Sequence, residues 1–222
     1  MNLMFGRTGF TFIWLAMFSV SVTFGQDKTQ KANVRPTPTP TPSIVSEPFD
    51  RADVKTMASK CVTFDTEQGI IEIELFPESA PESVRNFLNL AAIGAFDTTL
   101  FSRIVPGFVV QGGNVWTRSG GVSAELGKRA RRTIPDEPSK ILHERGIVSM
   151  ARPDEPNMAT SHFFILVSDA SYLDGKFAAF GRVTKGMEVV DAINKMPVTD
   201  EKPDKPVRLK KASIVNCTPA QN

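Results

Sequence analysis

From about Cys61 onward, hydrophobic and polar positions alternate in short stretches that predict β-strands. Ile71, Ile73 and Leu75 are separated by two glutamates, which is typical of a strand with one buried face. Comparable apolar stretches predict seven further strands. The eight predicted strands cover residues 61–65, 71–75, 100–105, 108–112, 146–151, 163–167, 178–183 and 207–216.

Two segments have the periodicity of helices instead. Apolar residues within 84–91 recur at i, i+3, i+4 and i+7, which predicts an amphipathic helix. Ser79 begins a capping-box pattern in front of this helix. A second, shorter helix is predicted over 187–195. The fold class is therefore mostly β with two α-helices. Closure into an eight-stranded antiparallel barrel capped by the helices is favoured because it leaves no strand edge exposed.

The N-terminal segment 1–25 has the pattern of a secretory signal peptide. Arg7 is its only charge, residues 10–24 are an apolar stretch, and Gly25 provides a small residue at the expected cleavage site. The pattern predicts an exported protein, with the bacterial periplasm or cell envelope as its compartment. The alternative is an uncleaved N-terminal anchor.

Residues 26–58 are predicted to be a linker. Within it, proline and threonine alternate over 36–42, which favours an extended polyproline II spacer. The alternative for this tract is a binding motif for a partner. The folded domain is predicted to cover 59–218, followed by a short C-terminal tail at 219–222.

Charge and composition exclude several classes of function. The chain has 26 Lys and Arg against 24 Asp and Glu, so no excess of positive charge favours binding to nucleic acid. No apolar stretch after residue 25 is long enough to span a membrane. Two Cys and two His exclude a zinc framework built on several of these residues. No metal and no cofactor are predicted.

The segment 101–113 is the richest in candidate chemistry. It places Arg103 in an apolar strand, followed by a Pro-Gly turn, Phe108, Val109 and Gln111. A guanidinium presents five donors in a fixed geometry and is always charged. Arg103 would therefore offer a strong donor at the edge of an apolar pocket, with Gln111 holding its guanidinium. The alternative is a solvated strand arginine.

The sequence of this segment resembles the signature of the cyclophilins, a family of peptidyl-prolyl cis–trans isomerases. The resemblance covers about residues 60–217, and three further blocks match in the family's order. These blocks are residues 146–151, residues 161–165, and residues 172–176 leading to 180–183. The resemblance implies an eight-stranded barrel with two capping helices and an outer groove that binds X-Pro segments. It implies an enzyme that assists the folding of proline-containing polypeptides.

The resemblance also assigns site residues. Arg103 matches the catalytic arginine, and Gln111 matches the groove glutamine. The implied substrate-binding residues are Phe108, Val109, Ala151, Arg152, Phe164, Tyr172, Leu173 and Phe177. Tyr172 stands where many members have Trp, so the cyclosporin binding known for the family is expected to be weak here.

Three other positions depart from the family pattern. Ser102 and Phe177 stand where many members have histidine. His162 stands where glutamine is usual. It is interpreted as a hydrogen-bonded strand histidine, with a general base as the alternative. The basic run 128–132 is interpreted as a solvated loop, and the alternative is a contact for an acidic partner.

Two alternatives to the isomerase remain open at this stage. Ser102 and Phe177 are compatible with a proline-recognising chaperone or interaction module with weak or no catalysis. A lipocalin-like ligand barrel is disfavoured because it leaves Arg103 and Gln111 without a role.

A possible disulfide follows from the resemblance alone. It places Cys61 and Cys217 in neighbouring first and last strands, and an exported compartment permits oxidation. The alternative is two separate thiols.

Overall fold

The computed structural model describes residues 46–217. Nine strands of this part form one antiparallel sheet, and two more form a separate hairpin. The sheet strands are β1 (Lys60–Thr66), β2 (Gly69–Leu75), β3 (Thr99–Leu100), β4 (Arg103–Val105), β5 (Val109–Gly112), β6 (Ile147–Met150), β7 (Phe163–Leu166), β8 (Ala179–Lys185) and β11 (Arg208–Asn216). The hairpin strands are β9 (Val198–Thr199) and β10 (Lys202–Pro203).

The sheet curls into a barrel that is nearly closed. Its strand order is β3-β11-β1-β2-β8-β6-β7-β5-β4, so both end strands come from one short stretch of chain. Within that stretch, the Phe101 N–H donates to the Val207 carbonyl on one side, and the Ser102 N–H donates to the Gln111 carbonyl on the other. The sequence predicted β3 and β4 as one strand, and with the two counted together the sheet has the expected eight strands. The barrel is not strictly closed, because β3 and β4 do not pair with each other.

Four α-helices accompany the sheet in the described part of the chain. The helices α2 (Pro81–Ala92) and α4 (Met187–Asn194) confirm the two that periodicity predicted. The short helices α1 (Val54–Ala58) and α3 (Ala124–Ala130) were not predicted. Between residues 46 and 217, no helix has the length and apolar character that a bilayer span requires.

The barrel interior is filled by a cluster of aromatic rings. Phe87 from α2 lies with its ring centroid 4.8 Å from that of Phe180 and 5.2 Å from that of Phe96. Phe64 and Phe163 complete the cluster at a mutual distance of 5.5 Å. All five side chains are almost completely buried, so α2 is anchored over the barrel by its apolar face.

The start of α2 is capped from a distant loop. The predicted capping box is wrong, because the N-cap residue is Ala80 and no side chain of the box caps the helix. Instead, the carboxylate of Glu137 accepts the Glu82 N–H at 2.8 Å and the Ser83 N–H at 2.7 Å. An anion at this end of a helix satisfies free N–H groups and interacts favourably with the helix dipole.

Glu137→Ala is expected to lower the free energy of unfolding by about 1–2 kcal/mol, the usual cost of losing an N-cap. Urea denaturation of the wild type and the variant measures this difference. Glu78→Ala is the matched control, because Glu78 is an exposed glutamate just before the same helix. Equal losses in both variants would contradict the capping role.

The linker prediction for 26–58 is wrong for its last part, because residues 46–58 belong to the folded domain. Arg85 of α2 donates to the carbonyls of Phe49 and Ala52, both at 2.7 Å. Met57 of α1 is fully buried. The predicted signal peptide 1–25, the rest of the linker, the last domain residue 218 and the predicted tail 219–222 lie outside the described residues.

The basic run 128–132 is not a loop as predicted, because its first part belongs to α3. Arg129 is largely buried and pairs with the carboxylate of Glu47, and its Nη1 donates to Asn86 Oδ1 at 2.9 Å. Lys128, Arg131 and Arg132 remain exposed. One of the four cations is therefore used to hold the N-terminal segment onto the domain.

A disulfide joins Cys61 and Cys217, as the resemblance implied. The two Cα atoms are 5.0 Å apart, and 156 positions separate the residues in the sequence. The bond joins β1 to the end of β11, where the Cys217 N–H also donates to the Ser59 carbonyl. The cross-link therefore fastens the first strand of the sheet to the last.

Candidate active site

The β4–β5 hairpin separates core residues from site residues by strand alternation. Arg103 lies directly opposite Gln111, and Ile104 lies opposite Val110. Successive side chains of a strand point to opposite faces. Ile104 and Val110 are fully buried in the barrel, and Arg103 and Gln111 therefore lie together on its outer face.

Nine of the ten predicted site residues surround one small cavity on this outer face. Its volume is about 160 Å³. The lining residues are Arg103, Phe108, Val109, Gln111, Ala151, Arg152, Phe164, Leu173 and Phe177. Tyr172 is the exception, because it does not line the cavity and is 60% exposed. Its ring lies 5.8 Å from that of Phe108, so it supports a wall of the cavity from outside.

The guanidinium of Arg103 is held on two sides. Its Nη1 donates to Gln111 Oε1 at 3.2 Å, as the sequence predicted. Its Nε donates to Glu201 Oε2 at 2.6 Å, a contact that the sequence did not predict. The Arg103 side chain is 41% exposed, so the charge stays accessible beside the apolar cavity.

Asn194 fixes the turn that presents Phe108. Its Oδ1 accepts the Gly107 N–H at 2.8 Å, and its Nδ2 donates to the carbonyls of Val105 and Val109, both at 3.0 Å. Gly107 has a φ of 72°, which favours glycine at this position. Asn194 lies at the end of α4, far from Phe108 in the sequence, and no local pattern indicated this contact.

Phe177 and Arg152 form another wall of the 160 Å³ cavity. The Phe177 ring packs edge-on against Phe164 at 6.0 Å, and the Arg152 guanidinium lies 5.1 Å from the Phe177 ring centroid. Arg152 is also paired with Asp136 at 3.2 Å. Phe177 therefore makes this wall apolar and packs beneath a cation.

A second cavity of about 400 Å³ continues the first. It shares Gln111, Ala151 and Arg152 with the first cavity and extends to Thr160 and His162. Two adjoining cavities along the outer face suit an extended chain that passes from one to the other. Burial lowers the pKa of His162 from its ordinary value of 6.5, so its ring is neutral at neutral pH.

The lowered pKa of His162 predicts a loss of stability on mild acidification. At pH values below 6.5, the unfolded chain binds a proton at this residue more readily than the folded protein does. The free energy of unfolding therefore falls as the pH drops through the interval between 6.5 and the lower folded pKa. Denaturation at pH 7 and pH 5 should show a smaller decrease in His162→Gln than in the wild type. Equal decreases would contradict the prediction.

A Ser–His–Asp arrangement lies behind the cavity. His143 Nδ1 is hydrogen-bonded to Asp174 Oδ1 at 3.0 Å, and His143 Nε2 is hydrogen-bonded to Ser149 Oγ at 3.0 Å. His143 is 1% exposed and Ser149 is fully buried, so no substrate reaches the hydroxyl. The His143 backbone N–H also donates to Asp174 and is the main reason that the pKa of Asp174 is lowered. This network holds the segment that carries Leu173 against β6.

Fold and site together define a class. A nearly closed β-barrel presents a small apolar cavity that suits a compact ring, with a fixed cation at its edge and space for an extended chain beside it. This arrangement suits a barrel enzyme that binds an extended peptide carrying one compact ring.

Comparisons with known proteins identify the family. The family model described as cyclophilin type peptidyl-prolyl cis-trans isomerase/CLD matches residues 61–214. The chain belongs to this family and is therefore an enzyme of the isomerase class. This confirms the family, the fold class and the isomerase activity that the sequence predicted.

Individual relatives agree with this assignment. The chain is 37% identical over 166 residues to peptidyl-prolyl cis-trans isomerase A of Dickeya dadantii, covering 69% of this chain and 84% of that protein. It is 38% identical over 146 residues to peptidyl-prolyl cis-trans isomerase CYP23 of Arabidopsis thaliana, and spans 65% of the length of each. A crystal structure of a Cryptosporidium parvum cyclophilin with the dipeptide Ala-Pro matches with a TM-score of 0.61 and 31% identity, covering 71% of this chain and 99% of that one.

Proposed function

We propose that this cyclophilin-type isomerase accelerates rotation about X-Pro bonds of exported polypeptides, and that Arg103 carries the catalysis. The observation that supports this most directly is the Arg103 guanidinium, fixed by Gln111 at the edge of a cavity with apolar walls. The remaining lining residues then bind the substrate. Because no bond is broken in this reaction, no cofactor is required.

The reaction is a rotation about one amide bond, so the site has to stabilise the twisted geometry of that bond. Rotation about an amide bond has a barrier of about 18–20 kcal/mol because the C–N bond has partial double-bond character. In the twisted amide the proline nitrogen becomes pyramidal and basic. A guanidinium that donates to this nitrogen, or to the adjacent carbonyl, binds the twisted state more strongly than the planar one. Only such a difference in binding accelerates the reaction.

The apolar cavity has the complementary role. Phe108, Phe164 and Leu173 would hold the proline ring while the chain before it turns in the second cavity. A thousandfold acceleration requires about 4 kcal/mol of preferential binding to the transition state. One charged hydrogen bond in a partly desolvated site, together with a fixed ring, is sufficient for an effect of this size.

An isomerisation assay on an X-Pro peptide tests the proposed activity. We expect the purified protein to accelerate cis–trans exchange, which takes about 10–100 s without a catalyst. Binding of proline peptides without acceleration would instead favour the proline-recognising module, and Ser102 and Phe177 would then be the first substitutions to examine. Absence of both binding and acceleration would contradict both functions.

The exported location of the enzyme is part of the proposal and is supported by the sequence pattern of residues 1–25. The Cys61–Cys217 disulfide agrees with an oxidising compartment. N-terminal sequencing of the protein from an envelope fraction tests the location. We expect a mature chain that begins near Gln26. A chain that retains Met1 would favour the anchor instead.

Weak binding of cyclosporin is proposed for the same site. Tyr172 provides a hydroxyl where many members have an indole N–H, and it lies outside the cavity. Cyclosporin should therefore inhibit the isomerase activity of Tyr172→Trp at lower concentrations than it inhibits the wild type. Tight inhibition of the wild type would contradict the proposal.

A further inference from the structure

The β9–β10 hairpin contains an unusual turn. Two residues, Asp200 and Glu201, connect its strands, and both have a positive φ, 49° and 62° respectively. Two-residue turns of this kind favour asparagine, aspartate or glycine, and glycine is most common at the second position. Glutamate at that position is strained, and such strain persists only where the surroundings enforce it.

Glu201 makes two hydrogen bonds to β4, the strand that carries Arg103. The Ile104 N–H donates to the Glu201 carbonyl at 2.8 Å, which fixes the turn against β4. The Glu201 carboxylate then accepts the Arg103 Nε–H at 2.6 Å. The backbone contact alone would be available to any residue at this position. Only the second contact requires a side chain that ends in a carboxylate at this distance.

We propose that Glu201 is a positioning residue for Arg103. With Nε held by Glu201 and Nη1 held by Gln111, the guanidinium plane is fixed from two sides. Its other N–H groups then keep one orientation beside the cavity. This inference rests on the proposed catalytic role of Arg103, and nothing in the sequence pattern or in the family resemblance pointed to Glu201.

Two opposing effects decide what Glu201 does to the rate. A nearby carboxylate offsets part of the positive charge that stabilises the transition state. However, both side chains are about half exposed, at 41% and 50%, so water strongly screens this attraction. The rotational freedom of a free arginine side chain is large, and a preorganised donor does not have to lose it during the reaction. We therefore expect positioning to dominate, and removal of the carboxylate to slow catalysis.

Paired substitutions separate the carboxylate from the strained turn. Glu201→Ala and Glu201→Gly remove the same carboxylate, but glycine adopts a φ of 62° without strain, whereas alanine is strained there as glutamate is. We expect both to lower kcat by about three- to tenfold with little change in KM, because a fixed donor acts mainly in the transition state. Glu201→Gly should nevertheless unfold at a higher temperature than Glu201→Ala. If Glu201 only stabilised the turn, the kcat values of the two variants would differ in the same order as their unfolding temperatures.

A spectroscopic measurement tests the contact without reference to activity. In the wild type, the Arg103 Nε–H should give a slowly exchanging NMR resonance, which Arg103→Lys identifies by its loss. In Glu201→Gln this resonance should shift and exchange faster. Asp200→Asn is the matched control, because it removes a charge from the same turn without touching Arg103, and it should leave both the rate and the resonance unchanged.

The outcomes separate this inference from the proposed function. Unchanged or raised kcat in the Glu201 variants, together with a strong loss in Arg103→Ala, would overturn the positioning role alone. An Arg103→Ala protein with wild-type rates would overturn the proposed function itself. Rates that decrease in proportion to stability across Glu201→Ala and Glu201→Gly would show that the turn, and not the carboxylate, matters.

Discussion

Arg103→Ala is expected to lower kcat/KM for an X-Pro peptide by about 10²-fold or more, equivalent to about 2.7 kcal/mol of transition-state stabilisation. Arg103 provides the guanidinium that lines the cavity beside the apolar walls of Phe108 and Phe164. The fold should be retained, because a partly exposed side chain at the cavity edge contributes little to the core. Isomerisation kinetics and thermal unfolding of the same preparation measure the two effects.

Two companion substitutions show whether the loss is specific. Phe108→Ala should also reduce activity, but through poorer positioning of the proline ring and with some loss of stability. Gln111→Ala should cost less than Arg103→Ala, because Gln111 only orients the guanidinium. A folded Arg103→Ala protein with the wild-type rate would refute the mechanism.

Reduction of the Cys61–Cys217 disulfide is expected to have the largest effect on stability. The bond closes a loop across 156 positions of sequence, and the chain-entropy relation gives a stabilisation of about 5 kcal/mol for a loop of this length. The physical reason is that the cross-link restricts the unfolded chain far more than the folded one, in which β1 and β11 already pair.

Denaturant unfolding with and without reductant measures this effect, and a Cys61→Ala/Cys217→Ala variant provides the control. The variant should be less stable than the oxidised wild type, about as stable as the reduced wild type, and unaffected by reductant. The isomerase rate of the folded enzyme should change little, because neither cysteine lines the cavity. A reductant effect of equal size on the variant would show that the disulfide is not its cause.

Most of the fold could be predicted because it depends on short-range periodicity. Alternation over 71–75 and the helical spacing within 84–91 arise from local burial, and the structure contains both elements. The separation of β3 from β4 could not be predicted, because it depends on which neighbour each residue pairs with. The helix α1 was missed because the apolar residues around Met57 follow a proline-rich segment and are too few for a periodic signal.

The site was predicted from a contiguous motif, and what was missed comes from elsewhere in the chain. Arg103, Phe108 and Gln111 lie within one hairpin, so their proximity follows from the sequence. Three contacts join residues that are far apart in the sequence: Glu137 caps α2, Asn194 holds the turn at Gly107, and Glu201 binds Arg103. No local pattern specifies such contacts. Tyr172 was placed in the cavity by resemblance alone, and a residue's match to a motif does not fix the direction of its side chain.

The position of β11 determines when the domain can be completed during synthesis. This strand pairs with β1 on one side and β3 on the other, although it is the last part of the sheet to be made. Until it arrives, β1 has one unpaired edge and the Phe64 side of the barrel is open. Pairing between the two ends of a domain is slow because a long loop must close first. A nascent chain therefore stays incompletely folded until its C-terminal strand has been made, which is the state in which a polypeptide can still be threaded through a narrow channel.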